Sequence, residues 1–145
     1  MKAVREPVCT VQHGSRWRGA SPRKRPNSRK RLLSRLSNLT DSAVVPALWL
    51  YEVANVVELA VRKGRIPGEK ALAFLESLAD RPIEVENPSR TQVFVTVRTV
   101  AGQYQLTAYE AAYLELAIHH QLPMASLDKA LSRAALAAGL STVQA

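Results

Sequence analysis

The chain has 145 residues, enough for one domain with a sizeable core, and its 47% hydrophobic content is that of an ordinary globular protein. Its single cysteine, Cys9, excludes an internal disulfide, and the absence of an apolar run of about 20 residues or of a signal-like N-terminus points to a cytoplasmic protein. The net charge of +8 is unevenly placed: residues 1–40 hold eleven basic residues against one acid, net +10, and residues 41–145 hold nine against eleven, net −2.

Residues 1–28 mix Arg, Lys, Ser, Pro and Gly without a period of 2 or 3.6. Such a composition buries too little apolar surface to offset its ordering entropy, so disorder is expected there. From Ser28 to Leu39 the spacing of Leu32, Leu33, Leu36 and Leu39 makes one apolar stripe and predicts a short helix. Thr40-Asp41-Ser42 reads as a turn, and Ala43-Val44-Val45 as a buried strand stopped by Pro46.

A helix is predicted from Ala47 to Lys63, with Gly64 closing it behind Arg62-Lys63. Pro67 opens another, to Ala79, with Leu72, Leu75 and Leu78 expected inward. Ile83-Glu84-Val85 alternates as a strand. Arg90 to Tyr104 reads as helix despite its valines, followed by a helix from Thr107 to His120. Met124 marks a short strand, Asp128 to Ala138 a last helix ended by Gly139, and Val143 a final short strand. Strands alternating with long helices indicate βαβ units in a mostly parallel sheet, whose sites form beyond the carboxyl ends of the strands.

Three carboxylates stand out against that frame: Glu52 within its helix, Glu110 in the first turn of the Thr107 helix, and Asp128 two residues beyond Ser126. Each has a structural alternative. Thr107-x-x-Glu110 is a capping box, Asp128 is a helix cap, and Glu52 suits a salt bridge. Converging in one cleft, they would repel one another unless a cation neutralised them. Oxygen ligands without a Cys or His pair select Mg²⁺ or Mn²⁺, and such a metal suits phosphodiester hydrolysis. His119-His120 reads as a helix-end cap, and Tyr109 and Tyr113 as core or partner-facing.

From about Leu32 to the end the chain resembles PIN-domain proteins, specifically the VapC-type toxins of toxin–antitoxin pairs. The runs that carry the likeness are Val44 to Asn55 (VVPALWLYEVAN), Leu106 to Ala117 (LTAYEAAYLELA) and Leu122 to Lys129 (LPMASLDK), in the family's order. The resemblance implies a three-layer α/β fold with a mostly parallel central sheet, and a Mg²⁺-dependent endoribonuclease that is held inactive by a cognate antitoxin and commonly forms a homodimer. The family's acids fall on Glu52, Glu110 and Asp128 as catalytic metal ligands, with Ser126 beside the metal. Position 110 is more usually Asp in the family, and the extra methylene shifts the carboxylate by about 1.5 Å.

The family also opens with a hydrophobic strand ending in a catalytic Asp. Met1 to Thr10 offers no such Asp, Glu6 is the only acid before Asp41, and Pro7 follows it. The first strand is therefore expected to be missing or replaced, residues 1–31 to form a basic segment foreign to the family, and residues 32–145 to form the PIN-like domain, with lowered stability. A chain impaired in this way would still bind an antitoxin through helix faces that include Leu48, Tyr51 and Val56. A basic-tailed RNA-binding protein is a third reading, which the acidic body disfavours.

Overall fold

A computed structural model describes residues 8–11, 42–126 and 128–143. They form five strands in one sheet: β1 (Val8–Val11), β2 (Ala43–Pro46), β3 (Ile83–Glu86), β4 (Met124–Ser126) and β5 (Thr142–Val143). Their spatial order is β3-β2-β1-β4-β5 and every pairing is parallel, as the alternation of strands and helices implies. The fold is α/β, and no helix among the described residues is long and apolar enough to cross a membrane.

Of the expectation that the first strand is missing or replaced, the first alternative is overturned: a strand is present. β1 occupies the centre of the sheet, with Cys9 in register with both Val44 of β2 and Met124 of β4. The run Val-Cys-Thr-Val is β-prone, and the strand begins after Pro7 in the sequence. The expected helix at 28–39, Asp41 and the rest of the basic N-terminal segment lie outside the described residues.

All four residues of β2 are buried, the pattern of a parallel strand covered on both faces. Helix α1 (Leu48–Arg62) follows it and buries Trp49, Val53 and Val57, which recur every four residues. It ends as expected at a left-handed Gly64 (φ 63°), whose N–H reaches the Val61 carbonyl while that of Arg65 reaches Ala60. Helix α2 (Gly68–Ala79) packs against α1 behind an extended Pro67. Only part of its expected inward stripe is inward. Leu78 packs on the core, whereas Leu72 and Leu75 are exposed, because α2 buries the side that carries Ala71.

Beyond β3 the chain forms a π-helical stretch (Gln92–Val97) that runs into α3 (Arg98–Tyr104). Helix α4 (Ala108–His120) then packs across β1 and β2, contributing buried Ala111, Tyr113, Leu114, Leu116 and Ala117 to the core. Helix α5 (Lys129–Ala137) lies against β4 and β5 and buries Leu131, Ala134 and Ala135. The expected final strand is β5.

Candidate functional site

The sheet reverses its direction of growth at β1. From it the chain adds β2 and β3 on one side, then β4 and β5 on the other. In open parallel sheets, ligands bind beyond the carboxyl ends of the strands at such a reversal. Here Val11 ends β1 in register with Ser126, the last residue of β4. β2, on the other flank of β1, delivers α1 from the same edge.

Asp128 sits at that edge as the N-cap of α5. Its Oδ1 accepts from the amides of Ala130 (2.8 Å) and Leu131 (3.0 Å), and its own amide donates to Ser126 Oγ at 3.0 Å. Ser132 Oγ donates to the Asp128 carbonyl at 2.8 Å. Ser and Asp two residues apart thus lock the turn from strand to helix, holding the half-buried carboxylate where the strand ends.

Glu52 lies in the second turn of α1 and is half-buried. Its Oε2 accepts from the phenolic hydroxyl of Tyr113, a residue only 1% exposed. A buried phenol requires a partner, and this one joins α4 to α1. Tyr113 is accordingly a core residue, whereas Tyr109 is 71% exposed.

Glu110 realises the capping box. Thr107 Oγ1 accepts from the Glu110 amide at 3.2 Å, while Glu110 Oε2 accepts from the Thr107 amide at 2.8 Å and from its hydroxyl at 2.9 Å. The same residue borders an open cleft of about 940 Å³ between α3 and α4, lined also by Arg98, Thr99, Gln103, Gln105 and Thr107. Gln105, at the left-handed end of α3 (φ 54°), returns its side-chain amide to the Gly102 carbonyl at 3.0 Å and so fixes the turn that shapes the cleft.

The Glu52–Tyr113 bond lies one turn along α4 from Glu110, so these two carboxylates belong to helices that are joined to each other. Ser126 and Asp128 form their own cluster across β1, and none of Glu52, Ser126 and Asp128 lines the cleft. Among the described residues no three His, Cys, Asp or Glu side chains form a group that could hold a metal. The all-oxygen donor set fits a hard divalent cation in chemistry; as placed, the carboxylates serve Tyr113, the α4 capping box and the α5 cap.

Two polar pairs have no signal in the sequence. Gln92, opening the π-helical stretch, donates to both carboxylate oxygens of Glu115 at 3.2 Å. Glu115 is only 6% exposed and sits within the apolar face of α4. His120 Nε2 meets Glu86 Oε2 at 2.5 Å, tying the end of α4 to β3; His119 and His120 stand in the last turn of α4, as expected, and left-handed Gln121 follows as its C-cap. Arg98, the cation of the cleft, also carried no local motif.

No protein-family profile matches the chain, and no curated protein matches it. Among solved structures it is similar to the crystal structure of PAE2754 from Pyrobaculum aerophilum, with a TM-score of 0.63 and 19% sequence identity over 91% of this chain and 87% of that one. At that identity the similarity is one of fold: this chain shares an α/β fold with the Pyrobaculum protein.

Proposed function

We propose that the chain is a PIN-like endoribonuclease of the VapC toxin type, with the family's three-layer fold. Glu52, Glu110 and Asp128 are its catalytic acids and Ser126 stands beside them. The observation that carries this reading is the position of Ser126 and Asp128 at the carboxyl end of β4, beside the strand where the sheet reverses, with α1 and its Glu52 leaving the same edge. Each of the three motif runs of the family resemblance contributes a strand of the sheet or a helix packed on it.

Bound Mg²⁺ or Mn²⁺ would polarise a phosphoryl oxygen and lower the pKa of a water. The chain's own residues supply the oxygen donors and, through the Ser126–Asp128 turn, a fixed carboxylate. In the hydrolysis a water oxygen forms a new bond to phosphorus, one phosphorus–ribose oxygen bond breaks, and the departing oxygen takes up a proton. A cognate antitoxin, a second copy of the chain and a cytoplasmic setting complete the proposal.

A specific observation favours a second reading. β1 is in place, yet its run Val8-Cys9-Thr10-Val11 carries no acid where the family has one. Meanwhile Leu50, Tyr51 and Leu59 of α1 and Leu72, Phe74 and Leu75 of α2 remain exposed. A chain that binds an antitoxin without cleaving RNA fits both facts.

The test is RNA cleavage by the purified chain with Mg²⁺, beside Asp128→Ala and EDTA controls. Cleavage that disappears in both controls is the expected result. A folded sample that leaves RNA intact overturns the enzymatic reading and favours the second one.

A further inference from the structure

The helix that begins at Arg90 changes its winding along its length. Its inward positions are Gln92, Val97, Val100, Ala101 and Tyr104, whereas Thr91 and the residues from Val93 to Thr96 are exposed. Inward positions are thus five apart across the π-helical stretch and three or four apart through α3. In a π register the residue one turn before Val97 is Gln92; in an α register it would be Val93, with Phe94 beside it. The sequence suits the second winding. Val93, Val97, Val100 and Tyr104 recur at spacings of four, three and four, which on an α-helix is one continuous apolar stripe. Instead Val93 is 37% exposed and Phe94 66%, and a polar residue takes the inward place.

What Gln92 reaches from that place is Glu115. Its side-chain nitrogen donates to both carboxylate oxygens at 3.2 Å, and among the described residues it is the only donor to them. A carboxylate this deeply buried is strongly unfavourable without a donor. We infer that the Gln92–Glu115 bond selects between two registers of this helix. While the bond is made, residues 92–97 keep the π register and Val93 and Phe94 stand in solvent. Without the acceptor the segment tightens to the α register, which turns Val93 and Phe94 inward and carries Gln92 round to the surface. Apolar burial favours the α register and satisfaction of Glu115 favours the π register, so each winding forfeits what the other gains. One residue's turn, about 100°, separates them. Val97 and Val100 anchor the C-terminal side at 3% and 8% exposure, so the rotation falls between β3 and Val97. The device governs whether an apolar patch is displayed at Val93 and Phe94, and it does not depend on the ribonuclease reading.

The experiment is NMR measurement of couplings across backbone hydrogen bonds in the full-length chain, which identify the carbonyl that each amide donates to. In wild type the Val97 amide is expected to couple to the Gln92 carbonyl, five residues back. In Glu115→Met the coupling moves to the Val93 carbonyl, four residues back, and the Phe94 ring loses its relaxation by a soluble paramagnetic agent. Glu115→Gln keeps an acceptor for the Gln92 amide and so retains the five-residue pairing. Glu115→Ala runs beside Glu115→Met, so that the comparison survives if the larger side chain does not pack. A Val97 amide coupled to Val93 in wild type overturns the inference. So does five-residue pairing that persists in both Glu115→Met and Glu115→Ala, which would assign the π register to packing alone. Loss of the π register in Glu115→Gln overturns it as well, because the acceptor is then still present.

Discussion

The phenolic hydroxyl of Tyr113 donates to the carboxylate of Glu52, 61 positions away, and this bond links α4 to α1. A hydrogen bond to an ionised group contributes about 1.5–3 kcal/mol, and removing its donor leaves a half-buried carboxylate without that partner. Tyr113→Phe is therefore expected to lower stability by about 2 kcal/mol in urea denaturation, with little change in m-value. In the double variant with Glu52→Ala the loss should be smaller than the sum of the two single losses; strict additivity would show that the bond contributes nothing.

Asp128 has two roles that a single substitution confounds. Asp128→Ala removes the α5 cap and should cost about 1 kcal/mol, whereas Asp128→Asn keeps a capping oxygen and should cost a few tenths. Under the proposed function both variants lose RNA cleavage, since only the charge serves a cation. Wild-type cleavage by Asp128→Asn would reduce this residue to a cap.

The position of β1 can be checked with proline. Thr10 lies within a strand flanked on both sides, so Thr10→Pro removes a ladder donor at the centre of the sheet. A loss of about 3 kcal/mol or more is expected, read as a fall in the urea midpoint or failure to fold. Unchanged stability would place residues 8–11 outside the sheet.

Gln92 and Glu115 give a fourth test. Gln92→Ala strips a buried carboxylate of two hydrogen bonds and is expected to cost about 1–3 kcal/mol. Adding Glu115→Met should recover most of that loss, because an apolar side chain of similar volume needs no partner there. Thermal unfolding of the two single variants and the double variant reads this directly.

Most helix boundaries were legible in the sequence because they depend on groups within four residues of one another. The Thr107–Glu110 box, the Asp128 cap and the glycine end of α1 each satisfy orphan amides or carbonyls locally, and all three stand where the spacing put them. The buried run Ala43-Val44-Val45 was equally plain, since a strand covered on both faces needs no alternation. The parallel sheet followed from the order of its elements.

What tertiary structure alone decided depends on partners far away in sequence. Four residues of β1 have too little periodicity to identify a strand; its ladder comes from β2 and β4, which lie more than 30 and more than 110 residues further along. The sequence showed that this segment lacks an acid, but not that it fills the centre of the sheet. Leu72 and Leu75 share a helical stripe with Leu78, yet which side of α2 is covered depends on how α1 meets it. Likewise Glu110 as a cap is a local fact, whereas Glu110 beside Arg98 on one cleft, and Tyr113 on Glu52, exist only because two helices cross, and no spacing along the chain encodes that crossing.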